Sequence, residues 1–159
     1  MMKIRKGTYT VYKGIEMVIT EYYGHGILNP EIENHREISY SKELGKLKGF
    51  ELDNNSDRFF KDIKVDKLNN AYRVDTKGIY KGDEFLLWGY NEKRDVIGLI
   101  TYNEEKAKKY DFIKLSDSYI KEVSPSKIEK AWEERTKSEF DLPLPEEIKE
   151  KKIIYQKEE

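Results

Sequence analysis

A chain of 159 residues with 38% charged and 37% apolar side chains, no cysteine and a formal net charge of −1 has room for one domain or two small ones. The missing cysteine excludes a disulfide framework, a thiol nucleophile and a thiolate-bound zinc. The longest apolar run, Phe85-Leu86-Leu87-Trp88, is far short of the roughly 18 residues of a membrane helix, and the locally alternating charges form no basic stripe for nucleic acid.

Aromatic residues make up 13% of the chain, and with so small a net charge this composition belongs to folded chains, not disordered ones. The basic opening Met-Met-Lys-Ile-Arg-Lys runs straight into Gly7-Thr8-Tyr9 without the apolar stretch of a secretory signal, so a cytoplasmic location is expected, with no membrane role.

Taken in chain order, the elements form two matching series. Tyr12 to Tyr22 aligns with Tyr80 to Tyr90 with five identities in eleven, Ile38 to Phe50 with Ile100 to Phe112 with five in thirteen, and Ser56 to Thr76 with Ser116 to Thr136 with six. In each series a strand (Thr8–Tyr12, Thr76–Tyr80) meets Lys-Gly and continues as a second strand rich in β-branched and aromatic residues. This is the pattern of a tight hairpin whose glycine takes the positive φ. Glu37–Tyr40 and Leu99–Tyr102 read as third strands. Ser41 and Asn103 read as N-caps for one or two helical turns, Lys42–Leu47 and Glu104–Lys109. Phe50–Leu52 and Phe112–Leu115 are expected to pair with Arg58–Ile63 and Ser118–Val123. The i, i+3, i+4 spacing of Leu68, Ala71 and Tyr72, and of Ile128, Ala131 and Trp132, then predicts a closing helix in each series, with Asp66 and Ser126 at its start.

The expected fold is therefore α+β: a tandem repeat of two small antiparallel sheet units, about ββ-β-α-ββ-α each, each capped by a helix. Residues 1–76 form the first unit and 77–138 the second. Residues 139–159 form a tail led by Leu142-Pro143-Leu144-Pro145, with a helix start at Pro145-Glu146-Glu147 and with Ile148, Ile153, Ile154 and Tyr155 available to dock.

Catalytic chemistry finds little to stand on. The two histidines, His25 and His35, lie with Glu31, Glu33 and Glu37 in a stretch where the first series is six residues longer. Their H-x9-H spacing matches no compact metal-ligand pattern, so no metal and no cofactor are expected. The paired carboxylates Glu104-Glu105, Glu133-Glu134 and Glu146-Glu147 fall where helix starts and exposed faces favour acids. Lys13-Gly14 and Gly24-His25-Gly26 are too short for a phosphate-binding loop. The aromatics that do not match between the series are more informative. Trp88 stands where the first series has Thr20, beside Tyr90 on the face opposite Phe85 and Leu87, and an unmatched tryptophan so placed either anchors an interface or packs between the two copies. The residues expected to touch a partner are Tyr22, Tyr23, His25, Glu31, Glu33, Glu37, Trp88 and Tyr90.

The G-x-Y-x-x-Y-x-G-x-E opening (Gly7, Tyr9, Tyr12, Gly14, Glu16), the Ile38-Ser39-Tyr40 strand, the short helix ending in Gly49-Phe50 and the strand around Phe60-Lys61-Asp62-Ile63 resemble small Firmicute cytoplasmic proteins. These carry the unit once or twice, and some sit among the immunity proteins of polymorphic toxin systems. The resemblance implies a non-catalytic protein that binds and occludes a cognate toxin, its partner a toxin domain encoded next door. It supplies no catalytic residues. The other function open to such a chain is a tandem small-barrel module that takes a peptide, a phage component or nucleic acid.

Overall fold

The computed structural model describes residues 2–20 and 34–158. Strand accounts for 54% of the described residues and helical turns for 10%, and the sheet is mostly antiparallel. Among the described residues there is a single α-helix, α1 (Glu104–Lys109), and no helix is long and apolar enough to cross a membrane. The chain divides into two compact units. The first comprises Gly7–Arg73 with Thr136–Ile148, and the second Met1–Lys6, Val74–Arg135 and Lys149–Glu159.

In the first unit, β1 (Gly7–Tyr12) and β2 (Ile15–Thr20) form a hairpin through Lys13 and Gly14. Their φ of 51° and 78° mark a two-residue turn with both residues left-handed, the form that matches strand twist. Next to β2 lies β3 (His35–Ser41), then β5 (Arg58–Lys64), then the short edge strand β4 (Glu51–Asp53). Ser41 caps a 3-10 turn, Lys42–Leu44, by accepting from the Glu43 N–H. The core gathers Met17, Ile19, Ile38, Tyr40, Phe50, Ile63, Leu68 and Ala71, with Phe140 and Leu142 against it. Tyr40 is its centre. The ring meets Phe50 edge-on at 5.2 Å, while the hydroxyl donates to the Gly45 carbonyl and accepts from the Leu47 N–H, both at 2.8 Å.

The second unit repeats this order. Here β6 (Tyr72–Tyr80, its first two residues belonging to the first unit) pairs with β7 (Asp83–Asn91) across Lys81-Gly82. Then follow β8 (Val96–Thr101), β10 (Ser118–Val123) and the edge strand β9 (Ile113–Leu115). Asn103 caps α1 by accepting from the Lys106 N–H at 3.0 Å. The core holds Tyr80, Phe85, Leu87, Ile97, Leu99, Tyr110, Val123, Ile128 and Ala131, and Met2, Ile4, Ile154 and Tyr155 pack against it.

The closing helices do not form, and the α+β class with them falls. Val65–Lys67 and Pro125–Lys127 make one 3-10 turn each, after which Leu68 (ψ 138°) and Ile128 (ψ 125°) turn extended and the chain becomes strand β6 or β11 (Ile128–Lys137). Leu68, Ala71 and Tyr72 are buried, as are Ile128, Ala131 and Trp132, but a change of phase produces their helical spacing. In the first unit, Asn69 and Asn70 interrupt the chain before β6 begins its strict alternation. Asn70 there takes the place of a strand partner, accepting from the Val11 N–H at 2.8 Å and donating to its carbonyl at 3.0 Å. In β11 the pairing slips between Ala131 and Trp132 and puts both on the covered side.

Two further expectations change. Residues 146–150 form no helix, and the tail ends as β12 (Lys151–Gln156), paired with β11. The alignment of Ile38 with Ile100 is one residue out. Ile19 pairs with Ile38 and Leu87 with Leu99, so Leu99 is the counterpart of Ile38. A one-residue slip exchanges the faces of a strand, which is why Tyr40 is 1% exposed and Tyr102 is 63% exposed.

Candidate functional site

Along β7 the side chains alternate, Phe85 and Leu87 turning into the core. The pairing with β8 then breaks. Leu87 lies opposite Leu99 and Gly89 opposite Gly98, so Trp88 is an extra residue, a bulge of the kind that redirects a side chain. Its indole lies across Gly98. A Cβ built on Gly98 would fall 1.7 Å from Trp88 Nε1 and 2.2 Å from Cδ1, so only glycine leaves room for the ring. Although seated in this way, Trp88 remains 53% exposed. Its Nε1–H has no acceptor among the described residues.

The indole forms one wall of a shallow recess of about 280 Å³, with Gly98 as floor and Gly89, Tyr90, Arg94 and Glu122 around it. Each polar neighbour is fixed by a partner. The Tyr90 hydroxyl donates to Asp95 Oδ1 at 2.7 Å, and this bond raises the phenol above its ordinary value. Arg94 makes a two-pronged bond to Glu122, 3.0 Å to Oε1 and 2.6 Å to Oε2, which carries the β7–β8 turn onto β10. The recess thus offers an aromatic platform, an N–H donor without an acceptor among the described residues, and a rim of held charges. Such a surface is suited to recognition.

Trp88 and Tyr90 are brought together here. Glu37 is not offered to a partner: it sits on β3 of the first unit, 7% exposed, opposite Asp62. His35 bonds through Nδ1 to Asp62 Oδ1 at 3.0 Å. Tyr22, Tyr23, His25, Glu31 and Glu33 lie outside the described residues. Gly98, Arg94 and Glu122 were not among the expected site residues. Gly98 does leave a trace in the sequence, because a lone glycine inside Val96-Ile97-Gly98-Leu99-Ile100 marks a bulge or a close approach.

The other concentration of charge is structural. Glu133, 4% exposed, accepts from Arg5 Nε (2.7 Å to Oε2) and Nη2 (3.0 Å to Oε1), and from Arg135 Nη2 (2.8 Å to Oε1). Burial alone would raise this carboxyl, but the hydrogen bonds from Arg5 and Arg135 outweigh it and hold the group below its ordinary value. The cluster ties the N-terminal residues to β11, assisted by the Thr76 hydroxyl, which donates to the Arg5 carbonyl at 2.7 Å. No group of three or more His, Asp or Glu side chains able to hold a metal occurs among the described residues.

Fold and site together define an antiparallel β protein with an exposed, pre-positioned aromatic recess. Residues 4–141 match the family described as Uncharacterised conserved protein UCP033725, and the chain belongs to that family. No curated protein and no solved structure matches it.

Proposed function

We propose that the chain is a non-catalytic binding protein that recognises a protein partner through the Trp88 recess, and that it serves as an immunity protein occluding a toxin domain encoded beside it. The observation that carries the reading is the exposed indole held on Gly98 by a bulge. Burying Trp88 would serve stability, whereas fixing it half in solvent serves contact. Trp, Tyr and Arg are the residue types enriched where interfaces derive most of their energy, and Trp88, Tyr90 and Arg94 line one recess. Each is immobilised before contact, which lowers the entropic cost of association. The toxin as partner rests on the resemblance to immunity proteins. The test is co-expression with the protein of the adjacent reading frame. A stable complex and relief of growth arrest are expected, and a neighbour that neither binds nor arrests growth would overturn the immunity role.

A further inference from the structure

The two units treat one lysine position differently. Lys61 on β5 lies opposite Ile38, and Lys121 on β10 lies opposite Leu99, both partners fully buried. Each lysine therefore runs along the rim of its own core, its stem over apolar surface and its charge at the edge. In the second unit the charge is satisfied, because Lys121 Nζ donates to the Tyr110 carbonyl at 2.8 Å. In the first unit it is not. Lys61 Nζ lies 5.8 Å from the centre of the Tyr12 ring and 5.9 Å from that of Phe50, with no hydrogen bond or carboxylate partner among the described residues.

A second ammonium group joins it. Lys13, at the tip of the β1–β2 turn, places Nζ 5.7 Å from the same Tyr12 ring, again with no carboxylate partner among the described residues. The nearest acid by sequence register, Glu51, pairs with Phe60 and so stands on the face opposite Lys61. Gly49, left-handed at φ 88°, lies close against this ammonium, since an added Cβ would stand 3.5 Å from Nζ, in van der Waals contact. Two like charges held over one ring repel each other unless an anion lies between them.

We propose that this rim of the first unit is an anion site, Lys13 and Lys61 over Tyr12, that takes the carboxylates of an acidic segment of a protein partner. The chemistry favours carboxylates over single-stranded nucleic acid. Base stacking needs free aromatic faces, whereas Phe50 is 2% exposed and the ammonium groups of Lys13 and Lys61 already lie over the Tyr12 ring. The site uses no residue of the Trp88 recess and stands or falls apart from it.

The test uses the full-length chain at low ionic strength with a hexaglutamate peptide as probe. Binding is read by fluorescence polarisation and by the lysine ε-methylene NMR signals. Hexaglutamate is expected to shift the Lys13 and Lys61 signals. Lys61→Gln or Lys13→Gln should weaken binding at least tenfold, Lys61→Arg should retain it, and Lys121→Gln should leave it unchanged. Trp88→Ala should also leave it unchanged, which separates this site from the proposed recess. Absence of binding, equal loss with Lys121→Gln, or indifference to Lys61→Gln and Lys13→Gln would overturn the proposal. Tighter binding of inorganic phosphate or oligothymidylate than of hexaglutamate would overturn the acidic-segment assignment.

Discussion

Gly98→Ala displaces Trp88 without removing it, and so separates the position of the indole from its presence. The new methyl would sit 1.7 Å from Nε1, so the ring must swing off β8. A tryptophan side chain offers roughly 200 Å² for burial, and with Trp88 53% exposed about half of that is covered. At about 25 cal/mol/Å² the displacement costs at most about 2.5 kcal/mol, a fall of about 5–10 °C in the midpoint for a chain of this size. The fold should survive. With 5-fluorotryptophan in place of the two tryptophans, ¹⁹F NMR resolves exposed Trp88 from Trp132, which is 5% exposed. Gly98→Ala should move the Trp88 signal and increase its solvent accessibility while leaving that of Trp132 in place. An unmoved Trp88 signal would refute the seating of the indole on Gly98, and loss of folding would show that the cover is worth far more than its area.

Glu133→Gln should be severe, about 3–5 kcal/mol, because it leaves the Arg5 and Arg135 guanidinium groups buried against a neutral amide; urea denaturation reads this directly. The same carboxyl sets an acid response. Its folded pKa lies below the unfolded value of about 4.3, so its contribution is complete above that pH and is lost as pH falls through the folded pKa. The Glu133→Gln protein should therefore show a shallower loss of stability on acidification, measured as midpoint against pH. Leu68→Ala and Ile128→Ala each empty a buried site, at 4% and 0% exposure, and should cost about 2–5 kcal/mol apiece by calorimetry. Tyr40→Phe keeps the ring but orphans the Leu47 N–H and Gly45 carbonyl, an expected loss of about 1–3 kcal/mol in chemical denaturation.

Local chemistry was legible wherever a few adjacent residues decide the outcome. The two Lys-Gly turns, the strands around them, and Ser41 and Asn103 as caps are short-range features, and they occur where the residues place them. The closing helices were misread because Leu68, Ala71 and Tyr72 show helical spacing for a different reason. A 3-10 turn and an interruption at Asn69-Asn70 offset one buried residue from the next strand, and no window on the sequence separates that from a helical stripe. The slip at Ile100 has the same origin, since Ile-Thr-Tyr imitates Ile-Ser-Tyr while the strand register follows Leu99. At the site, Trp88 was visible as an unmatched aromatic, with Tyr90 beside it on the same face. Arg94 and Glu122 were not, because they meet only through the pairing of β8 with β10.

The central claim, that the Trp88 recess binds a protein partner, is tested most directly by isothermal titration of the full chain with the protein of the adjacent reading frame, comparing wild type with Trp88→Ala. Tight binding by the wild type, weakened about 30-fold or more by Trp88→Ala with the thermal midpoint shifted by less than about 10 °C, is the predicted result. Equal affinity of the two proteins, or no binding by the wild type, would contradict it.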